Sequence, residues 1–189
     1  MTDAVIVLDM LNDFVTGEIG TDRAERIIPT LRDDLLPAAR ENGVRPIYAN
    51  DAHRPEDFEL EVWGEHAMRG TEGAEVIPEL APAETDDVFE KRFYDAFHGT
   101  GLDEHLRSLG IDRLVMTGLH TNMCVRHTSA TAFFHGYDIV VPEDCVNAFT
   151  EEAHQRGLEY LEDVYHAEVT TSAALIDEWE SEPTRAPHD

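Results

Sequence analysis

Three residues of this sequence could carry covalent chemistry if the chain brought them together. Cys124 lies in Gly118-Leu119-His120-Thr121-Asn122-Met123-Cys124-Val125, where an apolar run gives way to a helical pattern. At such a junction backbone N–H groups and the helix dipole favour a thiolate and offer donors to an oxyanion. Lys91 is the one lysine among 14 basic residues, the others all being arginine. A cation near Cys124 is expected to lower the thiol pKa further. Asp9 closes the first apolar run and supplies a carboxylate able to move a proton. On position alone a cysteine is as readily a buried structural residue as a nucleophile.

A second group could hold a metal. Asp51-Ala52-His53 is an i, i+2 pair whose side chains leave the same side of an extended segment, and His66 in Trp63-Gly64-Glu65-His66 is a candidate third ligand. Two histidines and one carboxylate suit a divalent Zn, Mn or Fe ion with coordination positions left open. By spacing alone the same residues also read as a solvated loop with stray histidines. Phe14, Trp63 and Tyr94 could line a pocket for a flat ring, or simply pack. His98, His105, His154 and His166 are expected to face solvent, His127 to pack, Phe133-Phe134 to lie in the core, and Cys145 to be structural.

The elements that would position these groups are short β-branched runs alternating with amphipathic stretches. The runs are Ala4–Leu8, Val44–Ala49, Asp87–Glu90, Arg113–Thr117, Asp138–Val141 and Ala167–Thr170. Most are continuously apolar, as parallel strands buried on both faces require. Helices are predicted over Arg23–Asn42, Gly101–Leu109, Thr121–His135 and Glu151–Tyr165, with Pro29 and Pro37 marking a break in the first. The pattern predicts an α/β fold: a single domain over residues 1–177, a doubly wound, mostly parallel six-stranded sheet with helices on both faces. Residues 178–189 read as a disordered acidic tail. The long segment from Asp51 to Pro82 exceeds a simple connection and is expected to be functional. In such sheets the site forms at the carboxyl ends of the strands. That rim would collect Asp9, Asn50 to His53, Lys91, Gly118 to Cys124 and Pro142 to Cys145.

At 189 residues the chain can bury one substantial core. Its formal net charge of -26, from 40 acidic and 14 basic residues, is spread along the whole length. This argues against nucleic acid or an anionic membrane as partner, since both require a basic face. A hydrophobic content of 42% is normal for a folded domain, so the charge belongs to the surface. Such a surface fits a halophilic protein that works in concentrated salt, where screening weakens self-repulsion. The start MTDAVIVLD carries no secretory signal pattern and no apolar run approaches a membrane span, so a cytoplasmic location with free thiols is expected.

The sequence resembles the isochorismatase-like hydrolases, the superfamily that contains nicotinamidases and N-carbamoyl amidases. The matching pieces are Leu8-Asp9-Met10-Leu11-Asn12-Asp13-Phe14, Glu90-Lys91-Arg92-Phe93 and Thr117 to Val125 continuing through Arg126-His127-Thr128, in family order. The resemblance implies a triad of Asp9, Lys91 and Cys124: a cysteine hydrolase that cleaves a small amide through a thioester, without an organic cofactor. It also implies that the backbone N–H groups of His120 and Cys124 bind the oxyanion, that the Leu119-His120 peptide is cis, and that Asp51, His53 and His66 hold a metal contacting the substrate. Ala52, Gly64 and Ala67 depart from the residues usual around that metal site in nicotinamidases, which puts the identity of the substrate in doubt. Self-association into a homo-oligomer is a further expectation. The alternatives are an isochorismatase-type vinyl-ether hydrolase, which does not need the thiol, and a non-catalytic binding module of the same fold.

Overall fold

The computed structural model describes residues 1–181. Strands β1 (Asp3–Leu8), β2 (Arg45–Asp51), β3 (Asp87–Lys91), β4 (Arg113–Leu119), β5 (Asp138–Pro142), β6 (Val146–Asn147) and β7 (Glu168–Thr170) form one sheet. Its order is β3-β2-β1-β4-β5-β7, with β6 pairing the end of β4, and every named pair is parallel. Six of the strands coincide with the predicted runs. The two-residue β6 is an addition too short to leave a pattern in the sequence.

Alternation along β1 explains its unbroken hydrophobicity. Val5 and Val7 enter the core on one face, while Ala4, Ile6 and Leu8 enter the core on the other. The first face is covered by the turn Thr30–Leu35 and by helices Leu36–Glu41 and Ser172–Ser181. The second is covered by Leu102–Ser108, Arg126–His135 and Glu151–Tyr165. The crossovers reverse direction between β1 and β4, so a crevice opens where those two strands end. Close approach there depends on Gly118, which has φ +92; a Cβ at this position would meet the Leu8 carbonyl oxygen at 2.0 Å.

The stretch predicted as one helix over Arg23–Asn42 is divided. Asp22–Glu25 is a single turn, and after Pro29 the chain enters a π-helical turn, Thr30–Leu35, before the α-helix Leu36–Glu41. Pro37 has no N–H to return to residue 33, which removes the hydrogen bond an α-helix needs there. The expected tail boundary at 177 is also corrected, because Ser172–Ser181 is helical. Trp179 is 1% exposed and its indole N–H donates to Asp3 Oδ2 at 2.7 Å, while Glu178 pairs with Arg113 at 2.8 Å. Residues 182–189 lie outside the described residues.

Two side-chain expectations are overturned. Phe133 and Phe134 are 42% and 77% exposed, because their helix turns Thr128, Ser129 and Ala132 inward instead. His154 is buried, with Nδ1 2.9 Å from Thr121 Oγ1, so that helix Glu151–Tyr165 is tied to the turn preceding Cys124. Among the described residues no helix is long and apolar enough to cross a membrane.

Candidate active site

Asp9 follows β1 directly and has φ 55, a left-handed conformation strained for a non-glycine residue. Its carboxylate is buried. Oδ1 accepts the backbone N–H of Asp51 at 2.8 Å, and Oδ2 lies 2.8 Å from Lys91 Nζ. Lys91 ends β3 and is the register partner of Asp51 at the end of β2. Its Nζ donates to Asp51 Oδ1 at 2.5 Å and to Cys124 Sγ at 3.6 Å. Cys124 is 2% exposed and sits in the turn Thr121–Val125, entered through a cis Leu119-His120 peptide. Three strand ends thus bring Asp9, Lys91 and Cys124 into one buried group.

The electrostatics correct one expectation. Burial, followed by the charge of Asp9, pushes the Cys124 thiol well above its ordinary range, and the opposing pull of Lys91 does not overcome this. Burial and then Asp51 push Asp9 up to about 6, against Lys91 and a hydrogen bond shared with Cys124. Burial works against a charge on Lys91, but Asp51 and Asp9 more than offset it and hold the ammonium well above its usual pKa.

Beside this group lies a second one. Asp51, His53, Glu59 and His66 each present a donor atom, all within 4.8 Å of one another. His53 Nε2 is 3.6 Å from Asp51 Oδ2 and 4.0 Å from Glu59 Oε1, and His66 Nε2 is 4.0 Å from the same Glu59 oxygen. Asp51 Oδ2 and His53 Nε2 are buried without a hydrogen-bond partner. Converging, unsatisfied, hard and borderline donors fit a divalent ion. Glu59 was not marked by the sequence: it is one of several acids in Glu56-Asp57-Phe58-Glu59, and only the single helical turn Leu60–Trp63 after it sets its direction. Burial pushes Glu59 up to about 7, with Asp51 adding to the effect.

Between the two groups is a narrow cleft with a volume of about 10 Å³, with Phe14, Trp63 and Tyr94 in its wall. Trp63 donates its indole N–H to the Tyr94 hydroxyl at 2.9 Å and stacks on Phe149 at 5.6 Å. Phe149 also stacks on His120, with 3.9 Å between ring centroids. Burial lowers His120 to about 4, so its ring is neutral near pH 7. Phe149 and the His120 ring are wall residues that the sequence did not single out. Phe149 follows β6, the strand too short to read, and His120 was marked only for its backbone. Cys145 is a buried free thiol away from this group, and His127 packs against Tyr94.

An acid, a lysine and a cysteine are thus buried together at the carboxyl ends of a doubly wound parallel sheet, in a protein of the α/β class. The chain belongs to the isochorismatase family: the Isochorismatase domain model matches residues 3–174. It is similar to the N-carbamoylsarcosine amidase of Thermoplasma acidophilum, with 40% identity, TM-score 0.85, and coverage of 91% of this chain and 97% of that one. An isochorismatase-like hydrolase from Alkaliphilus metalliredigens shares 35% identity at TM-score 0.90, covering 95% of this chain and 100% of that one. The pyrazinamidase of Pyrococcus horikoshii, solved in complex with zinc, shares 26% identity at TM-score 0.84, covering 90% and 99%.

Proposed function

We propose that this protein hydrolyses a small amide through a thioester on Cys124. The observation that carries the reading is the buried contact of Asp9, Lys91 and Cys124, with Lys91 Nζ 2.8 Å from Asp9 Oδ2 and 3.6 Å from the sulfur. Asp9 takes the thiol proton as Cys124 attacks the carbonyl carbon, Lys91 balances the one negative charge that Asp9 and the sulfur share until the S–C bond forms, and that charge then passes to the carbonyl oxygen. Backbone N–H groups of His120 and Cys124 receive the oxyanion. Collapse of the tetrahedral intermediate breaks the C–N bond, and Asp9 returns the proton to the departing nitrogen. Water then attacks the thioester with Asp9 as base, releasing the acid and restoring the thiol. A vinyl-ether hydrolase has no need of a thiol inside this buried group, which favours the amide reaction.

Asp51, His53, His66 and Glu59 are the residues that would hold a divalent ion such as zinc, manganese or iron. Such an ion would supply a Lewis-acidic anchor for a donor atom of the substrate. Amidases among the relatives, and the zinc in the pyrazinamidase structure, support both halves of the reading.

The cavity's charges bear on how a substrate would be held. Its wall contains the carboxylates of Asp51 and Glu59 and, among the described residues, no arginine or lysine. Lys91 lies behind it, engaged by two carboxylates. Apart from such an ion the wall offers no free cation, so a carboxylate-bearing substrate would have to be held through the ion, whereas a flat neutral amide would be held by Phe14, Trp63 and Tyr94. The test is ammonia release over a panel of neutral and carboxylated amides, with mass spectrometry of the quenched enzyme. An acyl adduct on Cys124 is expected; turnover with no adduct on rapid quenching, and undiminished in Cys124→Ala, would overturn the thioester.

A further inference from the structure

Asp57 stands outside the donor cluster yet is in direct contact with one of its members. Its carboxylate is 6% exposed, and Oδ2 lies 3.2 Å from His53 Nδ1. The same oxygen accepts the backbone N–H of Arg54 at 2.9 Å. Arg92 closes the other side as a fork: Nε donates to Oδ1 at 3.0 Å and to Oδ2 at 3.1 Å, and Nη2 donates to Oδ1. Arg92 follows Lys91 at the end of β3, so one strand end delivers the ammonium to the Cys124 group and a guanidinium to Asp57.

We infer that Asp57, clamped by Arg92, is the positioning residue that fixes His53 for ion binding. The inference rests on the divalent-ion reading of Asp51, His53, Glu59 and His66 given above. A carboxylate held by a guanidinium can only accept hydrogen bonds, so the hydrogen on His53 must sit at Nδ1. The lone pair is thereby assigned to Nε2, the atom that faces Asp51 and Glu59 and has no partner of its own. Imidazole ligands are commonly oriented by a carboxylate in this way, and loss of such a partner weakens metal binding by about 10- to 100-fold. His66 differs, since its Nδ1 is 2.9 Å from the Gly64 carbonyl and is oriented by backbone alone. The clamp therefore singles out His53 as the ligand that side-chain substitution can misalign without touching the cluster.

The experiment uses the full chain, stripped with chelator and titrated with zinc chloride alone. Asp57→Asn keeps the shape but lets an amide N–H face His53 Nδ1; zinc affinity is expected to fall by at least about tenfold, with circular dichroism unchanged. Arg92→Ala should fall in the same direction by less, and Arg92→Lys should recover only part of it, because an ammonium cannot fork. Nitrogen NMR of the stripped protein at alkaline pH provides a readout that needs no metal: the His53 hydrogen should be on Nδ1 in the wild type and redistributed in Asp57→Asn. Affinity within twofold of wild type in Asp57→Asn, or a wild-type His53 hydrogen on Nε2, overturns the clamp. A wild-type protein that takes up no zinc, while showing the expected NMR result, overturns the ion reading and leaves the orienting contact itself demonstrated.

Discussion

Lys91 and Asp51 face each other across the ends of β3 and β2 as register partners, with Nζ 2.5 Å from Oδ1. The contact places a second carboxylate behind the ammonium that also serves Asp9. This is why a fully buried lysine keeps its charge, although burial alone would strip it. It also joins the two halves of the site, since the other oxygen of Asp51 faces His53.

Lys91→Arg is accordingly expected to fail although the charge is kept. A planar guanidinium cannot occupy a pocket in which a compact ammonium reaches Asp9, Asp51 and Cys124 at once. A loss of kcat/KM of at least about 10²-fold is expected from the mispositioned acid and thiol. Near-normal rates in a folded variant would place Lys91 outside the reaction.

Cys124→Ala should abolish turnover and preserve the fold. The side chain is buried but small, and its turn is held by other contacts, including Thr121 with His154 and Met123 N–H with the His120 carbonyl. A loss of at least about 10³-fold is expected when a covalent nucleophile is removed. Residual activity above about a tenth of wild type would eliminate the thioester route.

The pH dependence follows from Asp9. As the base it must be ionised, and burial with Asp51 has pushed it up to about 6. The ionised fraction is full well above that value and falls about tenfold for each pH unit below it, so kcat/KM should show an acid limb near pH 6. A profile that stays flat down to about pH 5 would mean that another group accepts the thiol proton.

The sequence carried the sheet well, and with it the placing of Asp9, Lys91 and Cys124 on one rim, for a definable reason. Strands buried on both faces must be apolar at every position, as β1 is, and reactive residues at strand ends then fall on the rim by topology. What escaped it depends on contacts remote in sequence. Trp179 reads as part of an acidic tail until Asp3 is seen to accept its N–H. Glu59 is indistinguishable from its acidic neighbours until the chain folds back on His53 and His66. Lys91 does pull the thiol pKa down, but burial and the facing carboxylate of Asp9, which the sequence does not show, outweigh it. Phe133 and Phe134 are core residues by type, whereas the inward face of their helix is built from Thr128, Ser129 and Ala132.

The remaining expectation concerns salt. Forty acidic residues against fourteen basic ones leave most surface carboxylates without a cationic partner. In dilute buffer like charges repel over about 10 Å, a reach comparable with the spacing of neighbouring surface groups, whereas in molar salt it shrinks to about 3 Å. The buried ion pairs of Asp9, Asp51 and Lys91 are shielded from this change, so the effect should appear as global stability and not as a local defect in the site. Melting followed by circular dichroism from about 0.05 to 3 M potassium chloride should show Tm rising by more than about 5 °C, which for a chain of this size corresponds to roughly 1 to 2 kcal/mol. Sodium sulfate, which strengthens apolar burial as well as screening, should stabilise further at equal ionic strength. A Tm that is unchanged across the chloride series would refute adaptation to concentrated salt and leave the acidic surface as a property without this function.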